Sequence, residues 1–175
     1  MNLIFLSPLW LVAVLACILV AAAIEDAARF RISNVFSIIV VACALIAAAI
    51  VGPTWDLWQN ALVFLAILVL GTAAFASGVL GGGDVKLFAA VGLWLDLRAS
   101  ISLVALVFLC GGVVALVYLA SRLFRGGDTG RKSQTRIPYG VAIALGALVL
   151  ILLDPRVSGS RDRALPPINI GTHRA

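Results

Sequence analysis

Two aspartates are the residues of this chain best placed to do chemistry. Asp26 closes the first apolar run, in Ala23-Ile24-Glu25-Asp26, and Asp84 follows a glycine triplet, in Gly81-Gly82-Gly83-Asp84-Val85-Lys86-Leu87. Acids are scarce, eight Asp plus Glu in 175 residues. A carboxylate at the edge of an apolar segment is costly, which makes it a functional candidate by default. Two such groups within reach of one water are the minimal equipment of an aspartic hydrolase. They cannot both ionise easily, so one keeps a proton and can act as acid while the other acts as base.

The flanking residues admit both functional and ordinary readings. Gly81, Gly82 and Gly83 allow close backbone approach, so an extended substrate strand could lie against them. Asp84 then opens a helix, where an aspartate is also a common N-cap. Lys86 is placed to pair with a carboxylate or phosphate, or simply to snorkel from a membrane edge. Asp26 ends a helix, where the macrodipole disfavours an acid, so capping does not explain it. Asn34 reads as an N-cap for the next helix. Cys17, Cys43 and Cys110 lie far apart inside apolar runs and His173 stands alone in a polar tail, so no metal site is expected. Carboxylate-pair chemistry needs no cofactor.

The elements that must position these groups are membrane helices. Mean hydropathy is +1.15 and only 12% of residues are charged, which belongs to a polytopic membrane protein. The polar stretches are too short to bury a core of their own. The expected fold is an all-α transmembrane bundle of about six spans, over residues 3–24, 35–51, 57–79, 85–95, 99–119 and 137–153. The fourth is too short to cross unaided; it either begins within the glycine turn or is a half-buried helix shielded by its neighbours. Residues 1–153 form the membrane domain and 154–175 a polar tail expected to be disordered. The first run, of about 22 residues and without basic residues before it, is too long for a signal-peptide core and reads as a retained span.

Net charge is +5, but the basic residues are scattered among short loops, which reports orientation and not nucleic-acid binding. With the N-terminus outside, the inside receives Arg29, Arg31, Lys86, Arg122, Arg125, Arg131, Lys132 and Arg136. The outside receives Arg98 and, in the tail, Arg156, Arg161, Arg163 and Arg174. This balance favours an outer N-terminus, with Asp26 and Asp84 together at the cytoplasmic face and Asp56 and Asp96 opposite.

A third patch, Arg136-Ile137-Pro138-Tyr139-Gly140-Val141-Ala142-Ile143, starts the last helix with proline in its first turn. Ala142/Gly146 and Gly111/Ala115 have the small-residue spacing of close helix packing. Taken together, the glycine-aspartate run, the upstream Asp26 followed by Ile32-Ser33-Asn34, and the late Pro138-Tyr139-Gly140 resemble the type IV prepilin peptidases, the bacterial GxGD intramembrane aspartic proteases. The resemblance covers about residues 10–153.

That resemblance implies a protease of the bacterial inner membrane that removes the leader of prepilins and pseudopilins at the cytoplasmic face, after a glycine that precedes the pilin's apolar helix. Asp26 and Asp84 match its catalytic pair, and Glu25 would help to receive a basic leader. Partners would be the prepilin, the bilayer and other pilus-assembly proteins. Larger members carry an N-terminal cytoplasmic insertion with paired CxxC motifs and N-methylate the new terminus. This chain has neither the insertion nor its CxxC motifs, so the resemblance does not extend to methylation, and it looks like the compact form of tight-adherence (Flp) systems. It also departs from the family's Ile-Pro-Asn in having Ser33. Two other readings compete: a proton-coupled transporter with Asp84 as ion site at a broken helix, and a non-catalytic assembly subunit.

Overall fold

The computed structural model describes residues 1–52, 54–124 and 139–153. The polar tail at 154–175 lies outside the described residues, as do residues 125–138, which hold most of the basic last loop and Pro138. Those described form seven helices and no strand: α1 (Leu3–Leu6), α2 (Leu9–Arg29), α3 (Asn34–Val51), α4 (Leu57–Ala76), α5 (Gly82–Gly92), α6 (Leu97–Phe124) and α7 (Tyr139–Leu152). The all-α bundle is as the hydropathy implies. Among the described residues α2, α3, α4 and α6 are long and apolar enough to cross a membrane. At 1.5 Å per residue α7 extends roughly 21 Å and α5 less, both short of a bilayer core.

The boundaries differ from the apolar runs in instructive ways. The first run is broken at Ser7-Pro8, because proline has no N–H to donate and its ring crowds the preceding turn. α1 is capped by the Asn2 side chain, which accepts from the Ile4 N–H at 3.1 Å. It is tied to the far end of the core by the Leu3 N–H, which donates to the Trp94 carbonyl at 2.8 Å. α2 then runs on past the apolar residues to Arg29. It stops at Phe30, which takes a left-handed conformation (φ 52°) and donates its N–H to the Asp26 carbonyl at 2.7 Å. Asp26 therefore lies inside the last turn of α2 and not beyond it. α3 is capped by Ser33, one residue before the expected Asn34, with the Ser33 hydroxyl accepting from the Val35 N–H at 3.4 Å.

α5 is the short centre of the bundle. It packs against α3, α4 and α7, and α2 packs on α3 and α7. Leu87, Ala89, Ala90 and Val91 are fully covered, as is Trp94 just beyond the helix, whose indole N–H donates to the Val40 carbonyl at 3.2 Å. This is the shielded half-helix that the fourth apolar segment implied; α5 begins inside the glycine triplet, at Gly82. α6 lies along α7, and the expected small residues make that contact close. A β-carbon at Gly146 would come within 2.9 Å of Val107, and one at Gly111 within 3.6 Å of Ala142. The rest of α6 turns Ile101, Phe108, Leu109 and Leu116 outward, the disposition of a membrane helix that meets its neighbours on one side only.

Two stripes aim at one end of this core. Leu11, Leu15, Leu19 and Ala22 form the buried face of α2, and Asp26 is the next position on it. On α5, Asp84 precedes Leu87 and Val91 on the buried side. Both carboxylates thus sit where the helical period calls for an apolar side chain.

Candidate active site

Asp84 is held by the turn that precedes it. Gly81 is the N-cap of α5 in extended conformation, and its N–H donates to Asp84 Oδ2 at 3.1 Å. This is the acidic half of a capping box; glycine has no side chain to supply the other half. A β-carbon at Gly81 would lie 2.6 Å from Asp84 Oδ2, and one at Gly83 would lie 2.8 Å from the Ile32 carbonyl oxygen. At Gly82 the nearest atom would be the Phe75 ring at 3.5 Å, an ordinary contact. Glycine is therefore required by the main chain at the third position, a side chain at the first would displace the Asp84 carboxylate, and the second is free to vary. Asp84 is 8% exposed. Burial, reinforced by the Asp26 carboxylate and only partly opposed by the Gly81 N–H, pushes its pKa from 3.8 up to about 6.

Asp26 occupies the unfavourable, C-terminal end of its own helix, but it meets the favourable end of another. Its Oδ2 accepts from the Val141 N–H at 3.2 Å, in the first turn of α7. The amides of that turn have no partner within the helix, and the dipole there favours an anion. Gly140 makes the approach possible. A β-carbon there would meet Ile32 Cδ1 and would lie 2.8 Å from Asp26 Oδ2. Ile32 is thus wedged between the starts of α5 and α7, its carbonyl against Gly83 and its side chain against Gly140. Asp26 is 3% exposed.

The two carboxylates line one cavity of about 770 Å³, together with Phe30, Arg31, Ile32, Asn34, Gly81, Gly82, Gly83, Lys86 and Tyr139. Of the residues singled out in the sequence, Asp26, Asp84, the three glycines and Lys86 are brought together here. Lys86 Nζ donates to the Asn34 side-chain oxygen at 3.1 Å. Glu25 does not line the cavity. Its carboxylate accepts from the Ser33 N–H at 3.0 Å and pairs with Arg29 at 3.5 Å, holding the α2–α3 turn. Asp56 and Asp96 are at the other end of the bundle. There the Met1 amino group donates to the Asn60 side chain, Asn60 donates to the Leu93 carbonyl, and Asp96 accepts from the Ala99 N–H.

Sequence reasoning assigned no site role to Ile32, Tyr139, Gly140 or Val141. The late Pro138-Tyr139-Gly140 run enters as a helix start and as part of the family resemblance, without a site role of its own. A glycine in the first turn of a helix, where little else requires one, was the available signal.

The arrangement presents one buried carboxyl that gains a proton as the pH falls through about 6, beside a second that accepts from a main-chain amide. That combination can activate water and protonate a carbonyl oxygen. Comparison with known proteins matches residues 13–116 to the type IV leader peptidase family, a segment that includes both aspartates and the glycine triplet. No curated protein and no solved structure matches the chain. The match spans more than half of the sequence, and this membrane-embedded helical protein belongs to the type IV leader peptidase family.

Proposed function

We propose that the chain is an aspartic endopeptidase that removes the leader from Flp-type prepilins at the cytoplasmic face of the inner membrane, with Asp26 and Asp84 as its catalytic pair. The observation that carries this reading is that two buried carboxyls line one cavity, each held by a backbone N–H at the start of a different helix. Arg29, Arg31 and Lys86 fall at the same end of the helices, which supports a cytoplasmic site. Proteolysis is the activity we assign; the chain lacks the CxxC insertion of the methylating members, so nothing in it supports N-methylation.

Asp84 carries the shared proton and Asp26 the charge. Asp26 takes a proton from water, the resulting hydroxide adds to the scissile carbonyl carbon, and Asp84 gives its proton to the carbonyl oxygen. In the second step Asp26 returns its proton to the departing amide nitrogen. The C–N bond breaks, and Asp84 recovers a proton as the diol collapses to the new carboxyl group. The titration belongs to the pair and not to either residue alone. Confining the pilin's apolar segment to the bilayer raises the effective concentration of its leader junction at the site.

The test is co-expression with a Flp prepilin, comparing wild type with Asp26→Asn and Asp84→Asn. Leader removal by wild type and neither variant is the expected result. Trimming at the wild-type rate by either variant defeats the mechanism. Failure of the wild type on a range of prepilins favours the transporter or assembly-subunit readings.

A further inference from the structure

Beside the catalytic cavity lies a second, largely apolar groove of about 370 Å³. Its walls are Ile38 and Val41 of α3 and Phe64 and Leu68 of α4. α3 and α4 stand on either side of the short α5, which both of them contact. The groove is continuous with the cavity, since Asn34 and Lys86 line both. From Asn34 it descends along α3 through Ile38 to Val41, one and then two turns away from the dyad end.

One polar atom in this groove has no explanation in the free protein. Ser37 lines it, is only 6% exposed, and its hydroxyl has no hydrogen-bond partner among the described residues. Other helical hydroxyls in the bundle turn back onto their own helix: Thr72 donates to the Leu68 carbonyl at 2.6 Å, and Ser100 to the Leu97 carbonyl at 2.8 Å. Ser37 does not. A buried, unpaired hydroxyl in an apolar groove marks a place where a polar partner arrives.

We infer that this groove between α3 and α4 docks the first apolar turn of the substrate's membrane helix as it leaves the aspartates, with Ser37 accepting from an N–H of that turn. The inference rests on the proposed protease reading and adds to it where the substrate lies. The first four N–H groups of a helix have no partner within it, and in hydrocarbon each unsatisfied group is costly. Ser37 meets that need, whereas a lipid acyl chain would leave both the groove's hydroxyl and the substrate's amides unpaired. The shared Asn34 and Lys86 make the path from scissile bond to groove direct.

The experiment places the photocrosslinker p-benzoylphenylalanine at Ile38, and separately at Phe108 on the outward side of α6, in full-length Asp84→Asn protein in membranes with a full-length prepilin. Prepilin adducts at Ile38 and none at Phe108 are expected. Equal capture at Phe108, or capture of lipid alone at Ile38, overturns the docking site. In the active protein, Ser37→Ala should raise KM about fivefold, the worth of one hydrogen bond. It should change kcat less and leave the unfolding temperature unchanged or higher, because the hydroxyl makes no bond in the free protein. A lower unfolding temperature with unchanged KM overturns the role of Ser37. Wild-type cleavage without an Ile38 adduct counts against the groove alone; no cleavage of any prepilin removes the protease reading and the groove with it.

Discussion

Replacing Asp84 with asparagine should inactivate the protein and stabilise it, and the stabilisation should depend on pH. Asparagine is nearly isosteric and keeps an oxygen for the Gly81 N–H, which lies 3.1 Å from Asp84 Oδ2, so the main change is loss of the ionisable proton. In the folded protein burial and the Asp26 charge push the Asp84 carboxyl from 3.8 to about 6. The folded state therefore binds this proton more tightly than the unfolded chain does. The stability that follows is fully present below 3.8 and is lost as pH rises through about 6. The full displacement corresponds to at most about 3 kcal/mol. The asparagine variant escapes that loss, so it and the wild type should unfold alike near pH 4 and diverge toward pH 8. For a chain of this size, about 3 kcal/mol is roughly 5–10 °C in unfolding temperature. The assay is thermal unfolding in detergent micelles across that pH range, with Asp56→Asn, at an exposed aspartate, as a control that should move little. An offset that is the same at both ends of the range, or a variant less stable than wild type at pH 8, refutes the account of Asp84 as a strained buried carboxyl.

The glycine triplet should discriminate by position: Gly81→Ala and Gly83→Ala should cost about 10²-fold in leader cleavage by displacing Asp84 and the Ile32 carbonyl, whereas Gly82→Ala should stay within about threefold in the same gel assay. Gly140→Ala should lower kcat by a similar factor and leave the protein folded by circular dichroism, because its methyl group would strike Ile32 and the Asp26 carboxylate. The pH profile of kcat/KM should fall on its alkaline side as the pair loses its shared proton, with the limb near 6 in the free enzyme; a rate that keeps rising through pH 8 would remove Asp84 as the acid. Ser33→Pro should fold with a stability change within about 1 kcal/mol in denaturant titration: φ at Ser33 is already −66°, but the N–H bonded to Glu25 and the hydroxyl cap on Val35 are both lost.

What could be read from the chain is what depends on local composition. Apolar length gave the membrane helices, and the glycine triplet before Asp84 gave the start of α5. Helix ends were harder, because hydropathy marks where lipid stops and not where the backbone unwinds. Glu25, Asp26, Ala27, Ala28 and Arg29 include good helix formers, so α2 continues through them and carries Asp26 on its buried stripe. Pro8 carried a break that the surrounding leucines and valines concealed. The contact that matters most for Asp26 was beyond reach: Val141 is 115 residues away, and a backbone N–H leaves no mark in a residue code. Only Gly140 recorded it, as a missing side chain.

That dependence on main-chain donors explains how two buried acids can remain usable. Among the described residues neither aspartate forms an ion pair. Lys86 is engaged with Asn34 and Arg29 with Glu25, and Arg31 lines the cavity without an ion pair among the described residues. A lysine or arginine paired with either carboxyl would lower its pKa and hold it ionised. Backbone N–H groups, Gly81 at Asp84 and Val141 at Asp26, are a weaker counterweight. At Asp84 it offsets burial only in part, leaving the pKa at about 6, where a proton can come and go at working pH. The same economy makes geometry the controlling variable. Backbone donors cannot reorient as a side chain can, so the positions of Asp26 and Asp84 are fixed by how closely Gly81, Gly83 and Gly140 let the chain pack around Ile32. Adding a methyl group at those three glycines should therefore be more damaging than moving charge at Glu25 or Lys86.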